Sequence, residues 1–401
     1  MNQLQRLQQL FSGRQGEISY TLYALVFVVA LLLTYGLTLV LIRLAPRLGA
    51  MARPSARHIH QRAVPKLGGV AMFIAVAVAL GLAALLSPIV ARDLLSAKSV
   101  AIFTGLLVML GLGVYDDVRH ASWLPKFAFQ IVAACIVIHE DLVISKITNP
   151  FGPTLELPMI VALLFTIVWL VGITNAVNLS DGLDGLATGI VLIVCGVTFA
   201  NSLQLMQTRP EQYTFFVFSA ITSVAALGAA VAFLRFNFYP ARIFLGDAGS
   251  LFLGFLIACT AVRSAQISTT TVALIVPVIA LGLPILDTVL AFLRRTARRR
   301  NPFQADLEHI HHKMMESGLS HPETVLVLYG FCLLLGVAAL VLALKKNQYA
   351  GIVLFVLTII TLAGFKKFGV LDVTRLWGTR GRPTDAARDQ KSRGPHGPRR
   401  S

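Results

Sequence analysis

The segment Asn175-Ala-Val-Asn-Leu-Ser-Asp-Gly-Leu-Asp-Gly-Leu186 lies between two long hydrophobic runs of this chain. Its polar side chains recur at every third position, at Asn175, Asn178, Asp181 and Asp184. Side chains three residues apart occupy neighbouring positions on one face of a helix. One helix cap or one Asp-Gly turn would explain a single acid, but not the whole set. If the segment begins as a helix, it therefore predicts a polar strip where that membrane helix ends.

The composition around this segment is that of an integral membrane protein. Hydrophobic residues make up 56% and charged residues 13% of the 401 residues, which leaves too little charge for a soluble surface. We therefore predict an all-α, polytopic fold. Runs of roughly twenty apolar residues predict about eleven transmembrane helices, at approximately 20–44, 67–91, 99–115, 124–140, 158–174, 184–201, 214–235, 248–264, 270–293, 323–343 and 349–365.

These spans divide the chain into three parts. Residues 1–19 form a short extracytoplasmic segment and residues 20–365 the transmembrane domain. Residues 366–401 form a basic tail whose composition is typical of disorder. All four cysteines lie in apolar runs without a Cys-x-x-Cys spacing, which indicates neither a disulfide framework nor a zinc site.

The net charge of +16 has a membrane explanation. Most of the 35 Lys and Arg residues lie in the tail and in loops that alternate along the chain, so they fall on one side of the predicted bundle. Positive loops mark the cytoplasmic side and anionic lipid favours them, so a nucleic-acid partner is not indicated. We predict an extracytoplasmic N-terminus and a cytoplasmic C-terminus. Every polar cluster described below then lies at the cytoplasmic face.

Asp116 and Asp117 follow the third predicted span. At the C-terminal end of a helix the dipole disfavours carboxylates, and two adjacent acids also repel each other. A solvated pair balanced by Arg119 is the plain explanation. The alternative is a general base or a divalent-cation site, since adjacent carboxylates suit Mg²⁺.

Asp247 lies in Gly246-Asp-Ala-Gly-Ser-Leu251, just ahead of the eighth predicted span. An acid at a helix N-terminus can serve simply as a cap that suits the dipole. The neighbouring glycines favour a second interpretation, because they allow a phosphate or a metal ion to approach the backbone closely.

The histidines of His309-Ile-His-His312 follow a run of arginines that begins at Arg294. A basic run after a span is most often a cytoplasmic anchor. Zinc binding by histidines from one short segment is geometrically poor, whereas histidine and arginine donors suit phosphate oxygens. Asp287, inside the ninth predicted span, is either functional or an ion-pair partner of Arg294. The basic stretch Arg57–Gly69 suits phosphate or lipid headgroups only weakly.

Together these clusters predict phosphoryl chemistry on a lipid, with acids for a metal ion and cationic donors for phosphate at one membrane face. An ion-coupled transporter that uses Asp287 with Asp181 and Asp184 is the competing class. It predicts acids near the bilayer midplane and an internal repeat, and the sequence shows no repeat. A membrane scaffold with polar loops explains the paired acids least well.

Four motifs occur here in the order typical of one family: Asp116-Asp117, Asn175–Leu186, Gly246–Leu251 and His309–His312. In them the chain resembles the polyprenyl-phosphate N-acetylhexosamine-1-phosphate transferases of glycosyltransferase family 4, from about Arg57 to Gly318. Ile310 interrupts the histidines of this motif. In this form the motif resembles that of the branch that contains undecaprenyl-phosphate N-acetylglucosamine-1-phosphate transferases. The phospho-N-acetylmuramoyl-pentapeptide transferases, with an uninterrupted histidine run, are the alternative within the family.

The resemblance implies an enzyme that transfers N-acetylhexosamine-1-phosphate from a UDP-sugar to undecaprenyl phosphate and releases UMP. Its cofactor would be Mg²⁺, with Mn²⁺ as a substitute. It would act at the cytoplasmic face of the bacterial inner membrane, with residues 20–365 as its catalytic domain. The product would start a cell-surface glycan such as O-antigen, lipopolysaccharide or a cell-wall polymer. Homodimerisation is left open, and direct attack by the lipid phosphate is favoured over an aspartyl intermediate.

The resemblance also implies residue roles. Asp116, Asp117 and Asp247 would be catalytic, with Asp117 and Asp247 on the metal ion and the diphosphate and Asp116 on the lipid phosphate. The residues that would bind the nucleotide and the sugar are Asn175, Asn178, Asp181, Asp184 and Asn237. The histidines that would hold phosphate or sugar are His309, His311 and His312.

Overall fold

The computed structural model describes residues 17–52, 63–119, 121–147, 155–267, 280–297 and 309–344. Most of these residues belong to α-helices, which confirms the all-α prediction. The helices are α1 Tyr20–Leu44, α2 Gly68–Leu86, α3 Pro88–Leu94, α4 Ala97–Arg119, α5 Trp123–His139, α6 Met159–Leu179, α7 Leu186–Thr208, α8 Tyr213–Asn237, α9 Gly246–Ile267, α10 Gly282–Ala297, α11 Ile310–Glu316 and α12 His321–Leu344.

Eight of these helices are long and apolar enough to cross a membrane, so the chain is a multi-pass membrane protein. They are α1, α2, α4, α6, α7, α8, α9 and α12, and α5 is a shorter apolar helix of 17 residues. The ninth predicted span, 270–293, is described only in part, by α10. The eleventh predicted span, residues 1–16 and the predicted tail lie outside the described residues. The count of eleven and the orientation therefore stay predictions.

Helix α9 lies at the centre of the bundle. In the apolar part of α9, 89% of the residues are buried, against 22% in the peripheral helix α1. Glycines allow this close approach: a Cβ on Gly113 of α4 would lie 2.4 Å from the Cα of Ala248, and one on Gly69 of α2 would lie 2.0 Å from the Cα of Gly249. Small residues let membrane helices pack backbone to backbone. These contacts fix the N-terminus of α9 against the C-terminus of α4.

Two short antiparallel hairpins accompany the helices, β1 Met51–Ala52 with β2 Val64–Pro65, and β3 Lys146–Ile147 with β4 Leu155–Glu156. The first hairpin connects the loop before α9 to the start of α2 through backbone hydrogen bonds. Phe244 donates its backbone N–H to Pro65 (2.8 Å), and Gly68 and Gly69 donate to the carbonyls of Phe244 (3.1 Å) and Leu245 (2.9 Å). This pairing places Lys66 next to the end of α4.

The predicted polar strip is shorter than the sequence pattern indicates. Helix α6 ends at Leu179, so only Asn175 and Asn178 share a helical face. Asp181 and Asp184 lie instead in the turn 180–185 before α7. The N-cap of α7 is Gly185, at φ 81°, and no side chain caps this helix. The acids of the turn therefore do not cap α7.

Candidate active site

Asp117 joins the C-terminal end of α4 to the N-terminal end of α9. Its carboxylate oxygens accept the backbone N–H groups of Asp247 and Ala248, each at 3.1 Å. A carboxylate at a helix N-terminus is favourable because the exposed amides and the dipole both attract it. Gly246 has φ 74°, and a Cβ there would lie 2.5 Å from Asp117 Oδ2, so the contact requires glycine. This bond offsets the unfavourable position of Asp117 on its own helix.

Asp116 and Asp247 face a single cation. Lys126, in the first turn of α5, donates to Asp116 Oδ2 at 2.5 Å and to Asp247 Oδ2 at 2.6 Å. The other oxygen of Asp116 accepts the backbone N–H of Ala121 at 2.6 Å. Lys66 lies 3.6 Å from Asp117 Oδ1. Among the described residues, Lys126 and Lys66 thus compensate these three acids, whereas the sequence suggested Arg119 as the balancing charge.

The asparagines of α6 hold the acid cluster from a third side. Asn178 donates to Asp247 Oδ1 at 3.0 Å and lies 2.8 Å from the hydroxyl of Ser250. About one turn deeper, Asn175 donates to the side chain of Gln130 on α5 at 2.6 Å. Asn178 is thus in direct contact with the acids, whereas Asn175 fastens α6 to α5.

The turn 180–185 closes the cluster. Asp181 accepts the backbone N–H of Gly246, and burial raises its pKa well above the ordinary value, with Asp247 and Asp117 adding to the rise. Asp184 accepts the backbone N–H of Ala241 at 2.9 Å, and its own N–H donates to Nε2 of His321 at 3.2 Å. The turn is therefore held between the loop after α8 and the N-terminus of α12.

Helix α12 makes two further contacts to this region. The ring of His321 stacks on Tyr239, with the ring centroids 4.6 Å apart. The hydroxyl of Tyr329 donates to the carbonyl of Gly185 at 2.5 Å. The C-terminal end of the turn, at Asp184 and Gly185, is thus bonded to α12.

The histidine motif reaches the same turn. His309 Nδ1 lies 3.1 Å from Asp287 Oδ2, and Ile310 donates its backbone N–H to Asp287 Oδ1 at 3.0 Å. Asp287 thus anchors the histidine motif. The sequence suggested Arg294 as its partner and did not indicate this contact. The ring of His311 is buried against Gly182, where a Cβ would lie 2.9 Å from Nε2.

Burial is also the main reason why the pKa of His311 falls to about 3, and the neighbouring His312 lowers it further. The centroids of these two rings are 4.3 Å apart. At neutral pH His311 is therefore uncharged.

The structure gathers most of the predicted residues. The predicted residues that lie together at this end of the bundle are Asp116, Asp117, Asp247, Asn178, Asp181, Asp184 and His311, with His309 and His312 packed beside His311. Asn237 is 1% exposed, and its amide accepts from Thr188 at 2.7 Å and donates to the Ile243 carbonyl at 3.0 Å. Its role as a substrate ligand stays a prediction, as do the other substrate contacts.

Sequence reasoning assigned no chemical role to Lys126 or His321. In the sequence Lys126 is one of the basic residues whose distribution indicates membrane orientation. The available signal was its position as a lone charge in the apolar run Trp123–His139, because ionisable residues within spans are usually functional. His321 gave no sequence signal, since its partner Asp184 lies 137 positions away along the chain.

The donor set is suited to a divalent ion that is shared with substrate. Within the described ranges no group of three or more His, Cys, Asp or Glu side chains is arranged to hold a metal ion. Mg²⁺ commonly uses one or two carboxylates and completes its shell with water and phosphate oxygens. Asp116 and Asp247, which already converge on one ammonium, fit that requirement. All the carboxylate oxygens of Asp116, Asp117 and Asp247 already accept hydrogen bonds, and the assignment of Asp117 and Asp247 to the metal stays a prediction.

Comparison with known proteins adds independent findings. The sequence model described as glycosyl transferase family 4 matches residues 99–265. A Bacillus subtilis protein named probable undecaprenyl-phosphate N-acetylglucosaminyl 1-phosphate transferase is 34% identical over 334 residues, which is 83% of this chain and 88% of the relative.

Two other relatives have similar names. The decaprenyl-phosphate N-acetylglucosaminephosphotransferase of Mycobacterium tuberculosis is 34% identical over 319 residues, 76% of this chain and 79% of the relative. The undecaprenyl-phosphate alpha-N-acetylglucosaminyl 1-phosphate transferase of Thermotoga maritima is 27% identical over 314 residues, 77% of this chain and 87% of the relative. These similarities cover far more of the chain than the four sequence motifs alone.

Proposed function

This chain belongs to glycosyl transferase family 4, and from that premise we propose that it transfers N-acetylglucosamine-1-phosphate from UDP-N-acetylglucosamine to undecaprenyl phosphate. An oxygen of the lipid phosphate attacks the phosphorus that carries the sugar. A bond forms between them while the bond from that phosphorus to the bridging oxygen breaks. UMP leaves with that oxygen, and undecaprenyl-diphospho-N-acetylglucosamine remains in the membrane.

The observation that carries the proposal is the convergence of Asp116, Lys126 and Asp247 at the N-terminus of α9. A diphosphate that reacts with a phosphate concentrates negative charge, so the barrier falls when fixed cations and helix amides face the reacting oxygens. Lys126 and Lys66 supply the cations. Asp116 lies beside Lys126, where it can orient the lipid phosphate or accept its proton.

A Mg²⁺ ion, or Mn²⁺ in its place, would be held by Asp247 with Asp116, and it would offset charge on the diphosphate oxygens. Asp117 would lie close to this ion because it is bonded to the start of α9. Asp117 acts by holding Asp247 in place, because it caps the helix on which Asp247 lies.

The turn 180–185 and the histidine motif would receive the nucleotide and the sugar. Asp181 and Asp184 present carboxylates beside the acid cluster, and neutral His311 presents a ring nitrogen without a hydrogen-bond partner in the described structure. Uncharged histidine can donate to a sugar hydroxyl or accept from it. Because His309 is bonded to Asp287, the acid that the transporter hypothesis required is part of this same region.

We place this reaction at the cytoplasmic face of the bacterial inner membrane, where the Lys and Arg distribution puts the acid cluster. The relatives described above carry N-acetylglucosamine in their names, which supports that sugar over the phospho-N-acetylmuramoyl-pentapeptide alternative. The destination of the product, whether lipopolysaccharide, O-antigen or a cell-wall polymer, stays a prediction.

The test uses the purified full chain in detergent with undecaprenyl phosphate and Mg²⁺. UMP release is measured with UDP-N-acetylglucosamine, UDP-N-acetylgalactosamine and UDP-N-acetylmuramoyl-pentapeptide. We expect UMP with the first donor, no product with Asp247→Asn, and normal rates with Lys146→Gln, whose side chain is exposed at the other end of the bundle. Absence of UMP with every donor would sink the transferase proposal, and release only with the pentapeptide donor would replace it by the family alternative.

A further inference from the structure

A second polar region lies at the end of the bundle opposite to the acid cluster. Arg263, 16 residues after Asp247 on α9, is about 24 Å from it along the helix axis. Only 6% of Arg263 is exposed. Its guanidinium forms an ion pair with Asp93 of α3, donates to the hydroxyl of Ser99 on α4, and lies 4.4 Å from the ring centroid of Phe218. A buried charge at membrane level is costly and is usually functional.

A cavity of about 890 Å³ opens beside this arginine. Its charged lining is balanced in sign, with Arg92, Lys98 and Arg263 against Asp93, Glu140 and Asp141. One acceptor of this set has no partner in the described structure: Asp93 Oδ2 is buried and takes part in no hydrogen bond. A buried acceptor without a donor is unfavourable, so the cavity is suited to a ligand that supplies a donor.

An apolar groove continues from this cavity along the surface of the bundle. It has a volume of about 670 Å³ and lies between α4 and α5. Val100, Thr104, Val132 and Cys135 line it, and it shares Ala97 and Glu140 with the cavity. The combined shape is a charged chamber with a hydrophobic extension that faces the lipid.

We propose that the cavity and the groove bind one diacyl phospholipid whose headgroup is zwitterionic, with a phosphate and a primary ammonium, as in phosphatidylethanolamine. Arg92 and Lys98 contact the phosphate, and the ammonium donates to Asp93 Oδ2 and Glu140. An acyl chain lies in the groove beside Cys135. Three acids among the lining charges disfavour a purely anionic headgroup, and the charged chamber disfavours an unfunctionalised hydrocarbon chain.

This site is separate from the chemistry proposed above and does not depend on it. The lipid would link α3, α4 and α5 around the buried end of α9. Burial raises the pKa of Asp93 to about 6 although Arg263 opposes the rise, so a second cationic donor at Asp93 would favour its charged form.

The experiment is native mass spectrometry of the delipidated full chain, titrated with phosphatidylethanolamine or phosphatidylglycerol of identical acyl chains. We expect one tight phosphatidylethanolamine, bound about tenfold more strongly than phosphatidylglycerol. Arg92→Gln and Glu140→Gln should each weaken it by about tenfold. Cys135→Trp should abolish tight binding because the indole fills the groove.

Matched controls separate the site from general lipid contact. Lys146→Gln removes an exposed charge near this end of the bundle, and Val168→Trp adds an indole to a lipid-facing position of α6 that is 68% exposed. Both should bind phosphatidylethanolamine like the wild type. Equal affinity for the two lipids, or variants of Arg92 and Glu140 that bind normally, would overturn the proposal. Displacement of the lipid by undecaprenyl phosphate, with a raised KM for that acceptor in Cys135→Trp, would assign the groove to the acceptor and overturn it too.

Discussion

Lys126 is the residue on which the geometry of the acid cluster depends. Its ammonium lies between Asp116 and Asp247, and without it two partly buried carboxylates would repel each other across the same space. We expect Lys126→Met to lower kcat/KM for UMP release by about a hundredfold or more, because a fixed cation at the reacting phosphates is lost. Steady-state kinetics on the purified variant measure the effect.

Lys126→Arg is the matched control, since it keeps the charge and changes only its geometry. It should retain more activity than Lys126→Met. Near-normal kinetics in Lys126→Met would show that the contact to both acids has no part in the reaction.

His311 makes the fold sensitive to acid. Its pKa is about 3 in the folded chain and 6.5 ordinarily, so between these values the unfolded chain binds a proton that the folded chain does not. Stability is therefore unaffected by His311 above pH 6.5 and falls as the pH drops from 6.5 towards 3. At pH 5 the loss is about 2 kcal/mol. We expect His311→Gln to show a smaller decrease in Tm between pH 7 and pH 5 than the wild type.

Thermal unfolding in detergent at the two pH values tests this expectation. His139→Gln serves as the control, because His139 is exposed at the opposite end of the bundle. The same decrease in Tm for His311→Gln as for the wild type would contradict the burial argument.

At this scale the sequence predicted which acids lie together but not how the two adjacent ones differ. Neighbouring residues of a helix point about 100° apart, so Asp116 faces Lys126 while Asp117 faces the amides of α9. Only the packing of α9 against α4 determines which acid has which partner. The same holds for His321, whose contact with the turn depends on the position of α12.

The crossing of α4 and α9 is the contact between elements that positions the acids. Gly113 lies three residues before Asp116, and an added Cβ would meet the backbone of Ala248 at 2.4 Å. We expect Gly113→Ala to separate the helices, to destabilise the fold by about 1–3 kcal/mol and to lower activity strongly. Tm and UMP release on the same preparation measure both effects.

Gly111→Ala is the control on the same helix. Among the described residues nothing lies within 4 Å of a Cβ at Gly111, which is exposed. Alanine there should leave activity unchanged and stabilise the helix by as much as about 1 kcal/mol, since it removes the conformational freedom of glycine. If both alanine variants behave alike, the close contact is not what positions Asp247.

Helices of about twenty apolar residues are visible in a sequence because the bilayer requires that length. Most of the predicted spans that fall on described residues overlap the observed helices closely, although α7 ends at Thr208 rather than at 201 and the span 270–293 is described only in part. Short elements are not visible in this way. Helices α3 and α11 have seven residues each, and each strand has two, which is too short for a periodic pattern. The turn 180–185 was missed because the three-residue spacing continues past the end of α6.

The whole molecule has two polar ends, and its orientation in the membrane assigns them to opposite compartments. In a Cys135→Ser background, Ser122→Cys introduces an exposed thiol near the acid cluster, and Leu95→Cys introduces one at the opposite end, where Leu95 is 76% exposed. The charge distribution predicts that a membrane-impermeant maleimide labels position 95 in intact cells and position 122 only in inside-out vesicles.

The remaining cysteines, Cys195, Cys259 and Cys332, are buried and contribute little background. Labelling of position 122 in intact cells would reverse the proposed orientation. The sequence makes a prediction about orientation because charge asymmetry is a property of loops. It could not predict the cavity beside Arg263, whose lining comes from helices that are distant in the chain.

The bonds from His321 and Tyr329 to the turn 180–185 have a consequence for how a cell makes this protein. The ribosome synthesises the chain from its N-terminus, so Asp116, Asp117 and Asp247 are made before α12 emerges. Until then the turn lacks the helix to which Asp184 and Gly185 are bonded. A chain that is still being inserted, or one truncated before His321, therefore contains these acids but lacks the two bonds to Asp184 and Gly185. The turn 180–185 thus acquires these two bonds only when α12 has been inserted, near the end of synthesis.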